Sequence, residues 1–246
     1  FAEFEPPDSE VLGLGFAVVI LVLAFGSVLA MGLPIGMALA GIAGGVLIVG
    51  MVSNVVPMPE FTTTLAVMLG LGVGIDYALF IVTRFREDLH KGMPGEEAAG
   101  HAIDTAGRAV LFAGTTVVIS VLGMLVMGLG FIRGIGIGSA IPVAATVLAS
   151  ITLLPALLGF AGDRIEVTRR RGVVAAGLVA LGLVLFGLGV EPAIALVPLG
   201  LLVALLGRFV GWLRQPLPPR PIRAPRETVW YRYSHFVQRH PWPAAL

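Results

Sequence analysis

Five runs of about twenty apolar residues, near 11–31, 35–52, 62–82, 107–129 and 135–160, constrain this chain more than any other feature. A helix needs roughly 20 mostly apolar residues to cross the hydrocarbon core of a bilayer. None of the runs alternates as a barrel strand does, and most are too long for one. In lipid every backbone polar group must be paired within the structure, so helices are the expected solution. A sixth apolar stretch, 173–209, is too long for one ordinary span. Glu191 and Pro192 near its middle mark a turn, and it reads as a hairpin of two short spans, roughly 173–190 and 193–209. The fold class expected is all-α, a polytopic membrane helix bundle.

Charge supports this reading. Only 13% of the residues are charged and the mean hydropathy is +0.96, whereas soluble domains carry about 25% charged residues. Loops on the cytoplasmic side of a membrane concentrate Lys and Arg. With seven spans, one side receives Arg84, Arg86, Lys91, Arg108, Arg164, Arg169 to Arg171 and the arginines from Arg208 to Arg239. The other side receives Arg133 alone. The basic side is therefore expected to be cytoplasmic and the membrane to be the inner cell membrane. If 173–209 crossed once, the seven arginines of the tail would fall on the wrong side.

This layout divides the chain. Residues 1–10, with four acids and no base, read as the end of a periplasmic domain. Residues 11–165 form the transmembrane domain, with a charged loop at 83–106 that turns at 92–95 and carries a surface helix over 96–105. A basic link and the extra hairpin occupy 166–209. Residues 210–240 are basic and too rich in proline to be helical over 216–225. Residues 241–246 begin a further span. The chain reads as a piece of a larger protein.

Asp76 is the one acidic or basic side chain in the interior of any of the five good spans, Arg108 standing at the very end of its own. It lies eight residues before Arg84, about 12 Å of helix rise. An aspartate at mid-membrane costs about 2.5–3.5 kcal/mol on insertion scales, and such residues are functional by default. Hydrocarbon disfavours the charged form of a carboxyl, which is what a proton carrier requires. The competing reading is a static structural bond near the interface. Tyr77 follows and offers a hydroxyl to a different helix face. Partners are expected from the next span, where Thr115 and Thr116 match the depth of Asp76 and Ser120 lies one turn on. The alternative for each hydroxyl is a bond to its own helix carbonyl.

Other chemistry is poorly served. The glycines Gly70, Gly72 and Gly74, and the second run Gly134, Gly136 and Gly138, lie in apolar spans and read as helix-packing sites rather than nucleotide loops. The single lysine, in His90-Lys91-Gly92, excludes a Walker A loop, which needs Gly-Lys-Ser/Thr. The four histidines, His90, His101, His235 and His240, lie in the basic segments without metal-ligand spacing and read as solvated. The chain has no cysteine, so neither a disulfide framework nor a thiolate metal site is possible. No catalytic constellation, cofactor, metal or nucleic-acid partner is expected. The tail arginines serve topology, with attraction to anionic lipid as the alternative.

The segment Gly74-Ile-Asp-Tyr-Ala-Leu-Phe-Ile-Val-Thr-Arg-Phe-Arg-Glu87 resembles the MMPL family, the mycobacterial-type large membrane proteins of the resistance–nodulation–division superfamily. The resemblance continues through Gly107-Arg108, Ile141-Pro142 and Leu153-Leu-Pro-Ala156, and includes Phe25-Gly-Ser-Val-Leu-Ala-Met-Gly-Leu-Pro34, read as a turn between spans. It covers about residues 1–165. It implies two similar halves of six spans each, a large periplasmic domain after the first span, and an aspartate–tyrosine pair in each half that together relay protons to drive export of lipids or other hydrophobic molecules. By position Asp76 and Tyr77 match that pair, and Ser120 resembles the polar residue beside it. The five good spans would be the second to sixth of the N-terminal half. The partners implied are membrane lipids, a hydrophobic or lipid substrate, protons and the missing C-terminal half. The hairpin at 173–209 has no counterpart in this pattern. The expected function is a proton-motive-force-driven transporter and not an enzyme, with Asp76, Tyr77, Thr116 and Ser120 as the relay. The alternative is a non-transporting assembly or lipid-sensing module of the same superfamily.

Overall fold

The computed structural model of the protein describes residues 9–25, 28–162, 165, 170–206, 234–235 and 237–239. The chain divides into a unit Phe1–Pro216 and a unit Leu217–Leu246. In the second, described residues 234–235 and 237–239 are helical, and Gln238 Nε2 donates to Ser234 Oγ at 3.2 Å. The expectations for residues 1–8, most of the link at 163–169, the Pro-rich segment and the further span at 241–246 lie outside the described residues.

Among the described residues the fold is all helix, without strands, as the apolar runs require. The elements are α1 (Ser9–Phe25), α2 (Val28–Val52), α3 (Thr62–His90), α4 (Gly95–Ala102), α5 (Arg108–Leu122), α6 (Gly130–Ala161), α7 (Arg170–Gly187) and α8 (Leu196–Leu206). A π-helical turn, Ile103–Gly107, joins α4 to α5 without a break. Among the described residues four helical stretches are long and apolar enough to cross a membrane: Ala30–Val52, Thr62–His90, Gly95–Met127 and Gly130–Ala161. The first expected span is shorter than 11–31, because α1 ends at Phe25 and α2 begins at Val28. The segment read as a turn up to Pro34 is therefore mostly helix, with Pro34 inside α2. Proline forfeits one intrahelical bond, which neighbouring helices can offset in a membrane bundle. Pro34 is buried here.

The loop expected at 83–106 shrinks to four residues, because α3 runs on to His90 and α4 starts at Gly95. Twenty-nine residues of α3 make a rod of about 44 Å, longer than the roughly 30 Å hydrocarbon core. Its last turns emerge where charged side chains are tolerated. Gly92, at φ +84°, makes the reversal. Inside 173–209 the chain reverses at the expected place: α7 turns through 188–190 and a short 3₁₀ segment, Glu191–Ala195, and returns as α8, but over the described residues neither helix is among those long and apolar enough to cross a membrane.

The centre of the bundle is a trio, α2, α3 and α6, built on small residues. A Cβ on Gly45 of α2 would stand 2.5 Å from Pro142 Cα of α6, and one on Gly41 would stand 2.8 Å from Thr146 Cα. On α3, Gly74 faces Ala38 and Gly70 faces Ile42, both of α2. Without a hydrophobic driving force between helices in lipid, close backbone approach supplies the dispersion that binds them. Buried hydroxyls on α6 bond locally: Thr146 Oγ1 donates to the Val143 carbonyl at 2.9 Å and Ser150 Oγ to the Thr146 carbonyl at 2.8 Å. At the end of α2, Ser53 Oγ and Asn54 Nδ2 donate to the Gly50 carbonyl at 2.8 and 3.0 Å, occupying an acceptor the helix leaves open.

The remaining helices hang on this trio. Helix α5 packs on α6. Helix α1 packs on α7, with Gly15 facing Val184 and Gly187 facing Leu12, so the two run antiparallel. Phe25 ends α1 beneath the guanidinium of Arg86, 5.1 Å from the ring centroid. Gly95 meets Gly162 at the same end of the bundle. The helices thus alternate ends in the order that the basic residues require, and Arg84, Arg86 and Lys91 share one end.

Candidate functional site

Asp76 is the central residue of α3. The helix turns its buried stripe, Gly74, Ala78, Ile81, Val82 and Phe85, into the trio. The opposite stripe, Met68, Gly72, Asp76 and Phe80, recurs every four residues and is exposed. Asp76 therefore projects from the open side of α3. It borders a groove of about 300 Å³ between α3 and α1, lined by Gly13, Ala17, Met68, Leu71, Gly72 and Ile75. Gly13 and Gly72 leave this groove open, since a Cβ on either would meet nothing within 4 Å. No described residue forms a hydrogen bond or an ion pair with the Asp76 carboxylate.

Tyr77 lies one residue on, turned about 100° around the helix, and is half-buried. Its ring edge faces α5, with Cε2 3.3 Å from where a Cβ on Gly114 would stand. Gly114 is thus the seat for the Tyr77 ring, with Val147 of α6 on the same spot. The adjacent pair addresses two surfaces: Asp76 faces the groove with α1, and Tyr77 faces α5 and α6.

The hydroxyls expected beside Asp76 lie elsewhere. Thr116 Oγ1 donates to the Phe112 carbonyl of its own helix at 2.9 Å. Thr115, Thr116 and Ser120 are all exposed on α5, and none lines the groove that holds Asp76. The structure brings Asp76 and Tyr77 together but gathers neither Thr116 nor Ser120 around the carboxylate.

A second polar cluster was not foreseen from the sequence. Asp88, near the end of α3, is 1% exposed. Its Oδ2 lies 2.7 Å from His101 Nδ1 of α4 and 3.6 Å from Arg84 Nε, and its Oδ1 lies 3.3 Å from Lys91 Nζ. Only the N–H form of Nδ1 can donate to a carboxylate. His101 is therefore not the solvated loop residue expected from its position. The signal was available in the spacing. Asp88 continues the stripe of Ala78, Ile81, Val82 and Phe85 that α3 buries, while Arg84 and Lys91 stand at i−4 and i+3. Among the described residues no group of three or more His, Cys, Asp or Glu side chains has the arrangement of a metal site.

These features define a polytopic, all-α membrane protein with one carboxyl exposed at the middle of an apolar helix. Residues 8–175 match the MMPL family. The chain belongs to that family. It is 43% identical over 157 residues to membrane protein YdfJ of Bacillus subtilis, covering 64% of this chain and 22% of that protein. It is 37% identical over 157 residues to the trehalose monomycolate exporter MmpL3 of Mycobacterium tuberculosis, covering 64% of this chain and 17% of that protein. It is 34% identical over 154 residues to the mycolic acid-containing lipids exporter MmpL11 of Mycolicibacterium smegmatis, covering 63% and 16%. The chain thus spans less than a quarter of the length of these curated relatives. The family match takes in α1 to α6 and only the start of α7.

Proposed function

We propose that this chain is part of a proton-motive-force-driven exporter of lipids or other hydrophobic molecules, in which Asp76 is the proton carrier and Tyr77 its neighbour in the relay. The observation that carries the reading is a single carboxyl at the centre of a 29-residue apolar helix, on its open face. Two relatives are by name lipid exporters. The energies are of matching size. Holding an aspartate charged at mid-membrane costs about 2.5–3.5 kcal/mol, and a proton crossing 100 mV releases about 2.3 kcal/mol. Binding a proton removes that cost, so the gradient can decide the charge state and, with it, what Asp76 packs against.

The open stripe of α3 fits a face completed by further helices, in this reading the second half of the transporter with its own carboxyl. Thr116 and Ser120 enter the relay only where such closure brings α5 toward the carboxylate. The basic ends of the helices are assigned to the cytoplasmic side of the inner membrane, by the charge rule. The test is Asp76→Asn in the full-length protein, reconstituted in liposomes with an imposed pH gradient. Loss of gradient-dependent lipid export with the fold retained is the expected result. Unchanged export, or unchanged dependence on the gradient, moves the assignment to a non-transporting assembly or lipid-sensing module in which Asp76 is structural.

A further inference from the structure

The Asp88 cluster has no part in the relay as drawn, yet it is the most enclosed charged group among the described residues. It closes a short circuit through the fold. From His101, α4 passes through the π-helical turn Ile103–Gly107 into α5 without interruption, so Gly95 to Leu122 form one rod. Single π turns inside helices recur at functional sites. This one is braced where Thr105 Oγ1 donates to the His101 carbonyl at 2.7 Å. Thirteen residues beyond His101, a rise of about 20 Å, Gly114 receives the edge of the Tyr77 ring. Val110 and Gly114 are the buried residues of α5, and most of its remaining surface is exposed. The rod also buries Ala98, Ala102, Ala106 and Val110 in the core and packs on α6; among the described residues its side-chain hydrogen bond to α3 is the Asp88–His101 bond at the basic end, and at mid-helix Gly114 meets the Tyr77 ring.

We propose that the Asp88–His101 bond is the fulcrum of a lever that fixes the position of α5 and so holds Gly114 beneath the Tyr77 ring, which makes Asp88 and His101 positioning residues for the α3 site. Calling that site a relay rests on the function proposed above; the lever itself does not. The geometry of the clamp fits this work. A carboxylate 1% exposed, facing a histidine on one side and Arg84 and Lys91 on the other, has few alternative partners, and hydrogen bonds that involve an ionised group are shorter and stronger than neutral ones. The Asp104–Arg108 pair on the same rod provides a control, since both side chains are more than half exposed and neither reaches α3.

The test places 3-fluorotyrosine at position 77 of the full-length protein in bicelles and reads its fluorine resonance. His101→Ala is expected to shift or broaden that resonance. His101→Gln, which restores a side-chain N–H donor, is expected to return it toward the parent position, and Arg108→Ala to leave it unmoved. Should His101→Ala fail to fold, His101→Asn makes the same cut with an amide too short to reach Asp88. A resonance indifferent to His101, or one moved equally by Arg108→Ala, overturns the lever. The series is repeated with Asp76→Asn. A His101 effect that persists there supports a mechanical link independent of the proton carrier. An effect that disappears shows the ring answering to Asp76 and refutes the proposal. Because no transport is measured, failure of the lever and failure of the export reading are separate results.

Discussion

Gly45→Ala tests the contact on which the bundle is built. The added methyl would stand 2.5 Å from Pro142 Cα and 2.9 Å from Pro142 Cβ, whereas carbon atoms in good contact sit about 3.5–4.0 Å apart. The shortfall is about 1 Å, and the obstacle is backbone on both sides, so α2 and α6 must separate by that amount. A gap of 0.5–1 Å forfeits about a quarter to a half of the dispersion energy of each contact it opens. Overpacking of this kind typically costs about 1–3 kcal/mol. Gly44 is the matched control, one residue away on the same helix, where a Cβ would meet nothing within 4 Å. There alanine brings only its better helix propensity, up to about 1 kcal/mol in favour of the fold. Gly45→Ala gains the same propensity, so the two variants should differ by the overpacking cost alone, about 1–3 kcal/mol. Unfolding in mixed micelles by SDS titration, followed by far-ultraviolet circular dichroism, reads the difference. If Gly45→Ala unfolds at the same SDS fraction as Gly44→Ala, then α2 and α6 do not approach through this glycine and the account of the core is wrong.

Asp88→Ala should destabilise the chain by about 1.5–2 kcal/mol, the lower part of the range for hydrogen bonds to charged groups, because its partners are a third or more exposed. Arg108→Ala, which breaks an exposed pair, should change stability by less than about 0.5 kcal/mol in the same titration. Gly114→Val should displace the Tyr77 ring, since even a Cβ there meets Val147 and Tyr77; a fluorotyrosine resonance at position 77 unmoved by it would remove α5 from the site. The absence of cysteine allows single reporters of topology. Glu97→Cys and Asn54→Cys, both at exposed positions, should react with an impermeant maleimide from opposite faces of sealed vesicles, and labelling of both from one face would overturn the alternation of the helices.

Much of this architecture is present in the sequence because it depends on local composition. Apolar runs near twenty residues name the helices, and the clustering of arginines orders their ends, since both follow from transfer to lipid one segment at a time. Asp76 is equally plain, as an acid in the middle of such a run. The reversal inside 173–209 is also legible, because Glu191 and Pro192 interrupt an apolar stretch that is otherwise too long. The family motif around Asp76 and Tyr77 adds what hydropathy cannot, since apolar spans alone would fit many proteins.

What the sequence alone did not decide are the places where one helix meets another. Whether Pro34 ends a helix or lies inside one depends on burial by neighbours, and here it is buried within α2. The neighbours of Asp76 depend on how α3 is turned, and the structure turns it toward Gly13 and Ala17 of α1 instead of toward Thr116 and Ser120. Asp88 and His101, thirteen residues apart and each unremarkable in its own segment, form a clamp only because α3 outlasts the membrane and the chain reverses at Gly92. A span is specified by the free energy of leaving water, which each residue contributes separately. A site is specified by the distances between side chains on different helices, and these exist only once glycines such as Gly41 and Gly45 have let the backbones close together.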